Sequence, residues 1–168
     1  MNIFYLDHDP YLAAQMHCDQ HVHKMLLETA QMLSTAHHEG PMWSIKGLYQ
    51  PSHTNHPSNK WVRSGRAAYE WTYALFEALC DEYRFRYGKP HATELKLLDQ
   101  LWALPVLGDA EWHEPPQCMP DEYKSDNTVL AYRAFYIHDK SRFARWAKSR
   151  PMPAWFAAGS VRPIGDRP

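Results

Sequence analysis

The 168-residue chain has no stretch approaching the roughly 20 consecutive apolar residues that span a bilayer. Its opening, MNIFYLDHDP, lacks a basic leading region and a long apolar core, so it does not read as a secretory signal. A cytoplasmic protein without a membrane partner is the expectation. Cysteine is scarce: Cys18, Cys80 and Cys118 are an odd number at long spacings with no CxxC pair, and are read as reduced thiols. Bulk charge is lacking too, and a net charge of −1 argues against a tail that grips polyanions by charge alone. The chain has no internal repeat and no low-complexity tract. No HExxH or Cys/His framework follows the His17/His21 pair, so neither a metal nor another cofactor is expected.

What the chain does have is apolar residues and rings. Hydrophobic residues make up 45% of it against 22% charged, a globular balance, and its 7 Trp, 10 Tyr and 6 Phe need either a core or a ligand. The length suits a single domain, 1–168, able to bury a core without staples. The periodicity predicts an all-α fold, a compact single-domain helical bundle with two or three long helices and long structured loops. Asp9-Pro10 starts a short helical turn through Ala14, with Pro at the first helical position behind an Asp cap. Asp19 is expected to cap a long helix to about Ala36, in which Val22, Met25, Leu26, Thr29, Met32, Leu33 and Ala36 recur at three- and four-residue steps. The run His37-His38-Glu39-Gly40-Pro41 ends it, and Gly40 to Asn59 reads as a structured loop. A second long helix is predicted from Pro57 or Ser58 to Tyr87, stopped by Gly88. A shorter one follows from His91 or Thr93 to Trp102, then a Pro-rich connection over 104–125. A last long helix is predicted from Asn127 to Lys148, and beyond Pro151 an extended tail docks through Trp155 and Phe156.

Three stretches could carry chemistry. His21, Lys24, Glu28 and Gln31 stack along the polar face of the first long helix, either as a solvated stripe with a Lys24–Glu28 pair or as a functional face. Lys60, Arg63, Ser64 and Arg66 lie near the start of the second, where free backbone N–H groups favour an anion such as phosphate. Lys140, Arg142, Arg145, Lys148 and Arg150 alternate with Phe143 and Trp146, offering charge for phosphates and rings for stacking. Each of the two basic stretches also fits an ordinary solvated helix.

Asp19-Gln20-His21, followed by Glu28 nine residues after Asp19, resembles the pyrimidine-dimer DNA glycosylases of the T4 endonuclease V family. The likeness continues through Ser64 to Tyr87, returns at Asp121-Glu122-Tyr123, and runs on to Ser149-Arg150-Pro151 and Trp155. The opening MNIFYLD-x-DPYLAAQ-x-HCDQHVHKMLLETAQMLSTA also looks like a group of phage and bacterial proteins. A related activity is that of the bacterial anti-phage glycosylase that removes glucosylated hydroxymethylcytosine.

The resemblance implies a DNA glycosylase that hydrolyses the N-glycosidic bond of a damaged or hypermodified pyrimidine in double-stranded DNA, acting as a monomer. Glu28 takes the catalytic carboxylate's role, with His21, Lys24 and Asp19 completing the catalytic set. Asn2, Tyr5, Asn55, His56 and Tyr123 are the candidates for the opened base pocket. Lys60, Arg63, Ser64, Arg66, Lys140, Arg142 and Lys148 are the candidates for holding DNA. In the family the nucleophile is the α-amine of a small residue exposed by methionine removal. Here Asn2 is too large to favour that removal, which leaves the amine on Met1, one residue displaced. Hydrolysis that leaves an abasic site is therefore expected rather than strand cleavage through an imine. Two other readings share the scaffold: a transferase that modifies pyrimidines in phage DNA, and a non-catalytic DNA-binding module.

Overall fold

A computed structural model describes residues 1–38 and 47–160. Those residues form seven α-helices and no strand, the all-α fold that the periodicity predicts. The helices are α1 (Pro10–Met16), α2 (Asp19–Ala36), α3 (Pro57–Ser64), α4 (Arg66–Tyr87), α5 (Ala92–Leu101), α6 (Thr128–Phe135) and α7 (Ala154–Ser160). None is long and apolar enough to cross a membrane. The two long helices, α2 and α4, pack on each other, with α1, α3 and α5 around them. Between them and α6 runs an extended N-terminal segment whose Ile3, Phe4, Tyr5 and Leu6 are all buried.

Local chemistry accounts for several boundaries. Asp9 accepts from the backbone N–H groups of Tyr11 and Leu12 at 2.7 and 3.2 Å, opening α1 ahead of Pro10. His91 caps α5 and Glu94 reaches back to the His91 N–H, a reciprocal pair that satisfies two otherwise orphaned donors. Gly88 ends α4 in the left-handed conformation, φ 67°, where a glycine has no Cβ to clash. Asn127 caps α6 by accepting from Leu130 N–H at 2.9 Å. The predicted stop at residues 39–41, and the loop predicted over 40–46, lie outside the described residues.

Four expectations need correction, and in each a contact distant in sequence wins. The cap of α2 is Cys18, not Asp19. Asp19 is pulled away from capping because its carboxylate accepts from Arg86 (3.0 Å) and from Ala147 N–H (2.7 Å). The helix expected from 57 to 87 is broken at Gly65, which is fully extended. There the 63–64 backbone accepts from Gly108 N–H and Ala110 N–H, both at 3.0 Å, and a Cβ on Gly65 would stand 2.2 Å from the Ala110 carbonyl oxygen.

The helix expected to reach Lys148 stops earlier, because α6 widens into a π-helical turn over Tyr136–Lys140 and then leaves the helix. Residues 145–147 are drawn onto the α1–α2 junction instead. Arg145 C=O accepts from Asp19 N–H at 2.8 Å, and the Trp146 indole donates to Met16 C=O at 3.2 Å. Finally, the tail expected to be extended contains α7. Phe156 is buried as expected, and Gly159 lies so close to Ile137 that a Cβ there would come within 2.4 Å of its side chain.

A buried ionic hub ties these pieces together. The Arg86 side chain, fully enclosed, donates to Glu82, to Asp19 and to the carbonyls of His17 and Gln15 at 2.8 to 3.0 Å, while Arg150 grips Glu82 from outside. Replacing Arg86 by Met removes four hydrogen bonds and leaves Glu82 with Arg150 and Asp19 with Ala147 N–H, so urea denaturation should show a loss of about 3–5 kcal/mol. The Gly65→Ala variant should lose about 1–3 kcal/mol by forcing the 108–110 segment off the helix break, also read from urea curves.

Candidate functional site

The polar face of α2 is covered at His21 and partly at Glu28, and stays exposed at Gln20 and Lys24. It closes one side of a recess of about 510 Å³ lined from α2 by Gln20, His21, Lys24, Met25 and Glu28, from the N-terminus by Met1, Asn2 and Phe4, and from the other side by Phe135, Lys140, Arg142 and Phe143. That volume is in the range of small-molecule sites. Glu28 stands at its centre. One carboxylate oxygen lies 3.4 Å from the Met1 α-nitrogen, and the other lies 3.6 Å from Lys24 Nζ. The side chains are 1% exposed at Met1 and 14% at Glu28, and what Met1 leaves exposed is its backbone, on which the amine lies.

Around this single carboxylate stand three further cations. Lys24 is exposed on α2, Lys140 sits 4.3 Å over the Phe135 ring beside Asp139, and Arg142 stacks 5.4 Å from Phe143. Lys24 and Lys140 are each paired with an acid, Glu28 and Asp139, and exposed Arg142 adds to them, so the lining carries more positive than negative charge. Such a surface attracts a polyanion and sets a carboxylate against what the polyanion carries.

His21 is not the solvent-facing member of the polar stripe that its spacing suggests. It is 4% exposed, lying against Phe4 at 4.5 Å, and its Nδ1 is 2.8 Å from the Tyr136 hydroxyl. That hydroxyl accepts from Cys18 N–H at 3.0 Å, so its proton goes to His21. Burial, with His17, Lys140 and Lys24 adding to it, pushes His21 down to about 2. The ring is neutral with its proton on Nε2, a hydrogen-bond donor rather than a charge.

The structure sorts the other expected residues. His56 caps α3 through Nδ1, which accepts from Ser58 N–H at 3.2 Å. Its pKa is lowered by burial, then by the terminal amine and His53, and is raised by Glu28, so it feels both members of the central pair. Tyr5 points elsewhere, its hydroxyl 3.2 Å from His8 and its ring 5.1 Å from Trp71. Asn55 is exposed on the turn before α3, and Tyr123 packs behind Phe135 at 5.4 Å. Asp19 belongs to the ionic hub and not to the recess.

Among the basic candidates, Lys140 and Arg142 come to the recess. Arg63 donates to Thr54 C=O, Ser64 to Trp61 C=O, and Arg66 pairs with Glu70 on its own helix. Lys60 is exposed on α3, and Lys148 lies 5.9 Å from the Tyr87 ring at the end of α4. Two residues escape sequence reasoning. Gln20 shares the Lys24 and Glu28 spacing and was legible; Asn59, buried and donating to Met1 Sδ at 3.6 Å, was not, since nothing local links residues 1 and 59.

A shallower depression at Gln117, Lys124, Ser125 and Asp126 opens onto the surface. Its Lys124 is paired with Asp121, so it offers little unspent chemistry. Among the described residues no group of three or more His, Cys, Asp or Glu could hold a metal, and all three cysteines are free thiols. No protein-family model, curated protein or solved structure matches the chain.

The buried histidines give the fold an acid limit. Burial lowers His17 and His37 to about 4 and His21 to about 2, each from 6.5. The unfolded chain thus binds protons that the folded one refuses, so stability is complete above pH 6.5 and falls as pH drops toward 4. His17 alone accounts for roughly 3 kcal/mol by pH 4. Thermal melts from pH 7.5 to 4.5 should show a falling Tm, with a shallower slope in His17→Gln.

Proposed function

We propose that this chain is a DNA base glycosylase in which Glu28 carries the chemistry. The observation that supports it most is the placing of the Met1 α-amine at 3.4 Å from the Glu28 carboxylate, at the floor of a cation-rimmed recess. Breaking an N-glycosidic bond builds positive charge on the sugar, and a fixed, poorly hydrated carboxylate stabilises that charge and orients the attacking group. Lys24, Lys140 and Arg142 would hold the phosphates beside the extruded nucleotide. By resemblance the substrate is a damaged or hypermodified pyrimidine in double-stranded DNA, with glucosylated hydroxymethylcytosine as the leading case, met by a monomer in the cytoplasm.

The position of the amine favours a covalent route over simple hydrolysis. The displacement by one residue does not move the amine off the carboxylate, because the nitrogen that stands at Glu28 belongs to Met1 itself. In this route the Met1 ammonium first gives one proton to Glu28, and the neutral amine bonds to C1′ as the C1′–base bond breaks and passes a proton to the departing base. The proton on Glu28 goes to O4′ as the sugar ring opens, leaving a protonated imine between Met1 and C1′.

Purified protein incubated with modified phage DNA should leave alkali-labile sites and release a base detectable by mass spectrometry. Glu28→Gln should lower the rate by ~100-fold or more, the scale of losing a main electrostatic group. Persistence of full activity in Glu28→Gln would sink the mechanism. A transferase would need a second substrate and leave alkali-stable DNA, and a binding module would shift DNA in a gel with no base released. Removing both Lys140 and Arg142 should weaken binding and reduce the salt slope by about 2.

A further inference from the structure

Only one peptide unit separates the Met1 nitrogen from Asn2, so whatever fixes Asn2 decides where that nitrogen stands. Asn2 is held at both ends of its side-chain amide. Oδ1 accepts from the Tyr132 hydroxyl at 3.0 Å and from Ile3 N–H at 2.8 Å, and Nδ2 donates to Cys118 C=O at 3.0 Å. Tyr132, fully buried on α6, shares its proton with Pro116 C=O at 2.7 Å and accepts from Cys118 N–H at 3.2 Å. Three parts of the chain, the N-terminal segment, the 116–118 connection and α6, thus converge on one amide.

The far side of Met1 is gripped as well. Asn59, with no exposed surface, donates through Nδ2 to Met1 Sδ at 3.6 Å and to Ser52 C=O at 2.8 Å. None of these bonds involves Glu28, so the carboxylate does not hold the terminus in place by itself. The Met1 side chain fills a made slot while its nitrogen is presented to the recess.

We infer that Asn2 is a positioning residue, clamped by Tyr132 and the 116–118 backbone so that the Met1 α-nitrogen stands against Glu28. Its task is to aim the neighbouring amine and not to read the base. The effect on DNA chemistry rests on the glycosylase reading above; the effect on the amine's surroundings does not.

The test uses the full chain with Asn2→Gln, Asn2→Asp and Tyr132→Phe. Both replacements at position 2 are large enough to keep Met1, which intact mass checks. The first readout is the rate at which acetic anhydride acetylates the Met1 α-amine at neutral pH, located by peptide mass. An amine held as an ion pair on Glu28 is acetylated slowly, so the variants should react at least about tenfold faster than the native chain while keeping their helical circular dichroism. The second is borohydride trapping on duplex DNA with a preformed abasic site, expected to fall ~100-fold in the variants, the scale of misplacing a reacting atom by about an ångström.

Wild-type labelling and trapping in folded variants would overturn the inference. So would unfolding of all three variants, which would assign Asn2 to stability alone. If the variants unmask the amine but the parent never traps abasic DNA, the positioning stands and the amine-nucleophile reading fails. If parent and variants trap equally, the reading survives and the positioning is wrong.

Discussion

The fold turns on the guanidinium of Arg86. Buried in the interior, it donates to two carboxylates and two backbone carbonyls from α1, the α1–α2 junction and α4. A buried guanidinium is tolerable only when its donors are spent, and here the spending is what joins the elements. Asp19, drawn to Arg86 by one oxygen, uses the other to hold residue 147, and Arg150 returns to Glu82. The start of α2 is thereby fixed on α4, and with it the direction in which the helix presents its polar face.

That direction makes a site out of an ordinary amphipathic stripe. On an isolated helix Lys24 and Glu28 are a common surface pair worth a few tenths of a kcal/mol. In the folded chain Phe4, His21 and Phe143 cover one side of the stripe, and the N-terminal segment carries Met1 to the other. Glu28 then faces the Met1 amine, while Lys24, Lys140 and Arg142 line the same recess. The neutrality of His21 follows from the same enclosure and leaves cationic duty at the mouth to the lysines and the arginine.

Several features were legible because their causes lie within a few residues. Asp9-Pro10, His91 with Glu94, Gly88 and Asn127 mark helix ends by capping chemistry that needs no tertiary partner. The buried stripe of α2 followed from periodicity alone. The misplaced features have remote causes. The break at Gly65 needs the backbone of Gly108 and Ala110; the early end of the last long helix needs the α1–α2 junction to claim residues 145–147. Propensity at Gly65 or Ser141 carries no record of those partners.

The sequence by itself determined the helical class, most helix ends and the stacking of His21, Lys24 and Glu28 along one helix, because backbone capping and 3.6-residue periodicity are local properties. Only the tertiary structure decided that this face borders a recess, that His21 is buried and neutral, and that the Met1 nitrogen meets Glu28. Those outcomes depend on which distant segments share a few ångströms of space. The packing around Arg86, Tyr132 and the buried N-terminal segment sets that, and no short window of sequence contains it.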